Sequence, residues 1–136
     1  MIWLLDSVTI IYALNGAGRC RQHLNSAPTR GRVATSILAV AEVYYGAENS
    51  RRREENFGRI ERELELLDIY PVTRQTARIY AEIRTVAERA GKTKGPRGSV
   101  DLLLAATAIE NDAVLITHDD GLLDGSIPGL KVEDWY

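Results

Sequence analysis

The sequence is short of several things, and each shortage excludes something. It holds one cysteine, Cys20, among 136 residues, so no internal disulfide can form, and no Cys/His set has zinc-ligand spacing. A reducing cytoplasm is the expected setting. Net charge is nearly absent: 17 basic residues stand against 19 acidic ones, giving −2. That balance excludes a polycationic arm, a polyacidic tail and a chain held open by self-repulsion. Long apolar runs are missing too. Leu102 to Ile109 falls far short of the ~20 residues a membrane span needs. The apolar start Met1 to Leu5 stops at Asp6 without a basic leader, so it reads as no signal peptide.

What is present suits a soluble globular chain. Apolar residues make up 45% and charged ones 26%, and a chain this long buries roughly two-thirds of its surface on folding. One domain over 1–136 is expected. Ile2 to Leu5 has the look of a buried parallel strand leading into a helix that ends at Gly16 and Gly18. Val33 to Thr35 reads as a strand, and Ser36 as the N-cap of a helix to Asn49. A helix follows over Arg51 to Asp68, then an edge strand over Ile69 to Val72, demoted by Pro71. Helices over Thr73 to Ala90 and Ser99 to Asn111 flank a basic loop, Lys92 to Gly98. Strands at Val114 to Thr117 and Leu130 to Val132 complete the set. The alternation implies an α/β fold: three layers, a mainly parallel central sheet flanked by helices.

The acids fall where such a fold does chemistry. Ligands bind outside the carboxyl ends of parallel strands. Asp6 follows the first strand, and Asp119 and Asp120 follow the strand at 114–117. Each alone reads as well as a cap or turn former, and Asp120 reads only so. Glu42 lies on a stripe of small or polar residues (Thr35, Ala39, Gly46, Asn49) along an otherwise apolar helix. Asp101 is expected in the first turn of its helix, where the macrodipole favours a carboxylate with or without a function. Carboxylates gathered at one sheet edge repel unless a divalent cation joins them, and oxygen-only donors favour Mg²⁺ or Mn²⁺ over zinc.

Four segments carry a resemblance: Leu4-Leu5-Asp6-Ser7, Ala41 to Ala47, Asp101 to Ala108, and Val114 to Asp119 with the tail Pro128 to Trp135. In their order and spacing the chain resembles a PIN-domain ribonuclease, most closely the VapC-type toxin of a toxin–antitoxin pair. The resemblance implies a PIN-like fold and an endoribonuclease dependent on Mg²⁺ or Mn²⁺. By motif position it gives Asp6, Glu42 and Asp101 as the principal acids and Asp119 as a more variable fourth. It also implies a cognate antitoxin, a homodimer and an RNA substrate. Two departures stand out: Ser7-Val8 where the family often has Thr-Asn, and Leu123 where an aromatic is common.

Around the acids, Ser7 and Thr117 are candidate hydroxyls behind the metal ligands, although capping explains each as well. His118 reads as a surface loop histidine, and Trp3, Tyr44, Tyr45 and Phe57 as core. RNA phosphates need cations away from the acids. Arg89, Lys92, Lys94 and Arg97 are the candidates, with a second acid-free basic stretch at Arg19, Arg21, Arg30 and Arg32. Arg51-Arg52-Arg53 reads as solvated surface. A catalytically silent PIN-like module that binds RNA or protein is the competing class, and the intact acids speak against it. A phospho-acceptor or phosphatase would need paired acids near Asp6, which Ser7-Val8 does not supply.

Overall fold

A computed structural model describes residues 1–91 and 95–136, with backbone alone at 95–97. Five parallel strands form one sheet: β1 (Ile2–Leu5), β2 (Arg32–Ser36), β3 (Asp68–Tyr70), β4 (Val114–Ile116) and β5 (Lys131–Glu133), in spatial order β3-β2-β1-β4-β5. The order runs outward from β1 in both directions, so the chain reverses its winding at β1. Register aligns Leu5 with Thr35 on one side and Ile116 on the other. The carboxyl ends of the three central strands therefore stop level with one another.

Alternation along the strands builds two cores. Trp3, Leu5, Val33 and Ile116 face α1 (Ser7–Asn15), α2 (Cys20–Ser26), α3 (Ile37–Glu48) and α4 (Arg53–Leu64). Leu4, Ala34 and Leu115 face α5 (Arg74–Arg89) and α6 (Gly95–Glu110). Caps set the helix starts. Ser36 accepts the Leu38 N–H at 3.1 Å, and Thr73 and Thr76 form a reciprocal capping box on α5. A short α7 (Asp120–Leu123) follows β4.

Several expectations shift. The helix expected over 51–68 is shorter, and β3 ends before Pro71, at the sheet edge as expected. Helix α6 opens at Gly95 rather than Ser99, with Pro96 in its first turn, where a proline costs no hydrogen bond. Asp101 therefore sits in the second turn, beyond the strongest part of the macrodipole. The basic stretch at 19–32, to which no element is assigned from sequence, holds α2 and a 3-10 turn. Tyr45, expected in the core, is 73% exposed; Tyr44 is half-buried with its hydroxyl on Glu61. Trp3 is buried as expected.

Candidate active site

Asp6 stands immediately beyond β1, at the point where the winding reverses. It leaves the strand in extended conformation and N-caps α1, Oδ1 accepting the Thr9 N–H at 2.7 Å. Thr9 in turn donates its hydroxyl to the Ile116 carbonyl at 3.2 Å, and the Asp6 N–H bonds the same carbonyl at 3.1 Å. The carboxylate is thus fixed to β4 as well as to its own helix. It is also buried, only 7% exposed. Burial pushes the Asp6 carboxyl above its ordinary value; hydrogen bonds from Thr9 and Thr117 pull it back, and Asp119 adds to the rise.

Thr117 and Asp119 approach from β4. Thr117 is fully buried, its N–H on the Glu133 carbonyl at 3.1 Å and its Oγ1 accepting the Asp119 N–H at 3.1 Å. One hydroxyl therefore serves both acids. Asp119 caps α7, Oδ1 accepting the Gly121 N–H at 2.8 Å, and Asp120 opens that helix in solvent. Asp101 and Asp119 both line a cleft of about 870 Å³ between the α5–α6 end and α7, with Asp120 and Asp124 beside them. Asp101 is half-buried and engaged in a contact of its own.

Glu42 projects from α3 into solvent, and the Gly46 position beside it is open. Of its stripe, Thr35 and Ala39 are buried, and Thr35 donates to the Leu5 carbonyl at 2.8 Å. Helices α3 and α6, which carry Glu42 and Asp101, touch. Among the described residues, no three Asp, Glu, His or Cys side chains come close enough together to hold a metal ion. Asp6, Thr117 and Asp119 are brought together, and Asp101 shares a cleft with Asp119. Glu42 stands on a neighbouring helix. The donors are all oxygens, and Asp6 is a buried carboxyl raised further by a second one, the repulsion that a hard cation relieves. The residues fit a divalent cation in donor chemistry.

Ser7 is buried at the first position of α1. Arg89 is exposed in the last turn of α5. Lys92 and Lys94 lie outside the described residues, as does the side chain of Arg97. The 19–32 stretch is largely structural: Arg21 bonds Glu63 at 2.9 Å and the Ala13 carbonyl at 3.0 Å, Arg32 pairs with Asp68, and Arg30 covers Trp3. Arg52 and Arg53 pair with nearby glutamates on the surface. His118 is an exposed loop residue, as expected, and it is tethered. Its Nδ1 meets Asp134 Oδ2 at 2.7 Å, a partner sixteen residues away that no local pattern signals.

Comparison with known proteins places this arrangement. Residues 3–125 match the PIN domain family. The Ribonuclease VapC2 of Rickettsia felis is 30% identical over 99% of this chain and 98% of its own length. A tRNA(fMet)-specific endonuclease VapC of Salmonella typhimurium is 28% identical over 98% of this chain and 97% of its own. The crystal structure of VapBC2 from R. felis, bound to a DNA fragment from its promoter, superposes with TM-score 0.89 at 29% identity, covering both chains fully. DNA-bound VapBC from S. typhimurium gives 0.85 at 27%, over 100% of this chain and 99% of that one. The chain belongs to the PIN-domain family and, within it, to the VapC ribonucleases.

Proposed function

We propose that this chain, acting as one PIN unit over 1–136, is the endoribonuclease toxin of a toxin–antitoxin pair and cuts RNA at the acids of the sheet's carboxyl edge with Mg²⁺ or Mn²⁺. The observation that carries the reading is the Asp6 carboxyl, raised above its ordinary value chiefly by burial and further by Asp119, with the Thr117 hydroxyl bonded to both residues. Asp6, Asp101, Glu42 and Asp119 would hold the cation. When bound, it supplies Lewis acidity that activates water and offsets charge building on the phosphate. Asp6 contributes a fixed oxygen, since Thr9 and β4 restrain it from two sides. Thr117 orients Asp6 while holding the loop that carries Asp119, and Ser7 backs the same strand end. Arg89, Lys92, Lys94 and Arg97 adjoin Asp101 in sequence and would meet phosphates flanking the cut.

A cognate antitoxin and a second copy of the chain are the proposed protein partners. The solved relatives that are VapBC complexes support the first. So does a mainly apolar pocket of about 230 Å³ between α1, α3 and α4, lined by Ile11, Leu14, Val43 and Ile60 together with Asn15, Asn56 and Arg59, which has room for an apolar side chain from a partner. None of the described helices is long and apolar enough to cross a membrane, and the one thiol, Cys20, is buried and unpaired; a cytoplasmic site of action accords with both. Incubation of the chain and its Asp6→Asn variant with total RNA, with Mg²⁺ or Mn²⁺ and then with chelator, tests the reading. Cleavage is expected only from the unaltered chain with metal, with a loss on the order of 10³-fold in the variant. Cleavage that survives both the substitution and the chelator refutes it.

A further inference from the structure

Three aromatic rings gather near the end of β4, two of them, His118 and Tyr136, open to solvent and the third, Tyr12, half-buried against the core. His118 and Tyr136 stack with centroids 4.5 Å apart and planes at 28°. Tyr12 leans on Tyr136 at 4.9 Å and meets the edge of His118 at 6.1 Å. Core rings would be covered, yet Tyr136 is 49% exposed and the His118 side chain 43%. They are nonetheless held firmly. Asp134 forks between them, Oδ1 accepting the Tyr136 N–H at 2.9 Å and Oδ2 meeting His118 Nδ1. Gly18, at φ +56°, lies against the Tyr136 backbone so closely that a Cβ there would stand 2.7 Å from the Tyr136 carbonyl carbon. The cluster shares segments with the acids: in sequence His118 lies between Thr117 and Asp119, and Tyr12 is on the helix that Asp6 caps. Arg19, exposed at its rim, is near enough to act on Asp134.

We propose that Tyr136, His118 and Tyr12 form a stacking platform for an unpaired base of the RNA, placed beside the acids that cut it. The proposal rests on the ribonuclease reading and adds how the substrate is seated. Proteins hold unpaired bases on aromatic faces, with little sequence preference, because every base offers a π-face. Restraint by Asp134 and Gly18 fixes the rings in advance, which lowers the ordering cost of binding. Arg19 then supplies charge for the adjoining phosphate.

A single-stranded RNA oligonucleotide carrying 2-aminopurine, titrated with the full chain in chelator, reads stacking as fluorescence quenching. Steady-state cleavage of the same oligonucleotide with Mg²⁺ reads KM and kcat. Tyr136→Leu, which keeps bulk but no π-face, is expected to lose quenching and raise KM about ten-fold, with kcat falling less. Gly18→Ala, which displaces Tyr136 without removing a ring, is expected to act in the same sense. Tyr136→Phe is expected to restore quenching and KM, which a loss of fold would not allow. If Tyr136→Leu quenches and cuts with the original KM, the platform is overturned while the ribonuclease stands. If the unaltered chain cuts no RNA at all, both fall.

Discussion

The two faces of the sheet are packed from different materials. Toward α1 to α4 the core is large: Trp3, Leu5, Ile10, Val43, Ile60, Leu64 and Trp135. It is also pinned by arginines, Arg21 onto Glu63 and the Ala13 carbonyl, and Arg59 onto the Leu14 carbonyl at 2.7 Å. Toward α6 the core is thin: Ala34, Ala105, Ala106, Ala108 and Ala113 interleave with Leu4, Leu102 and Leu115. Small side chains let a helix lie close to the surface beneath it. The thin face is the one whose helix brings Asp101 to the cleft shared with Asp119. Bulk on one side secures the sheet; its lack on the other sets where Asp101 stands.

Substitutions that exchange these materials separate the two roles. Leu64→Ala, on the thick face, is expected to cost about 2–4 kcal/mol in denaturant unfolding and leave cleavage per folded molecule unchanged. Ala106→Leu, on the thin face, is expected to cost about 1–3 kcal/mol by overpacking and to lower cleavage as α6 is pushed outward. Equal loss of activity in both would break the distinction. Thr117→Val keeps the buried shape and deletes the hydroxyl between Asp6 and Asp119, so kcat is expected to fall about ten-fold with the fold intact.

The smallest effect concerns the tail. Partial burial raises the Asp134 carboxyl, but the Tyr136 N–H, His118 and Arg19 outweigh it and hold the group below its ordinary value of 3.8. A depressed carboxyl contributes stability above the unfolded value and loses it as pH falls through the folded one. Melting temperatures of the chain and its Asp134→Asn variant should therefore differ slightly at pH 7. The gap should close in acid below about 3.8. Solvent screening keeps the effect well under about 1 kcal/mol. A gap that widened in acid would contradict the assignment.

What the sequence made legible had local causes. Ser36 and Thr73 announce their helices by capping chemistry, and Ile2 to Leu5 and Val114 to Ile116 are short apolar runs of the length that buried strands have. Asp6 and Asp119 were readable as strand-end acids for the same reason. Helix α2 was not, because Cys20 to Ser26 is mostly polar with only Cys20 and Leu24 buried, too few for a periodic stripe. The start of α6 was hidden by Gly95-Pro96, a pair that suits a turn as readily as a first helical turn. Tyr45 misled because an apolar helix suggested burial all round, whereas α3 buries only Ala39, Val40, Val43 and Ala47. The contacts of His118, Asp134 and Tyr136 depend on β4 and β5 lying side by side, which no local pattern specifies.

The central proposal is that Asp6, Glu42, Asp101 and Asp119, arriving on four separate segments, serve a divalent metal site. Titration of the chain with Mn²⁺, by calorimetry or by the loss of free-ion electron paramagnetic resonance signal, tests it most directly. Each of Asp6→Asn, Asp101→Asn, Glu42→Gln and Asp119→Asn is expected to weaken binding, Asp6→Asn most, by about ten-fold or more. Undiminished Mn²⁺ binding by a folded Asp6→Asn variant would contradict it.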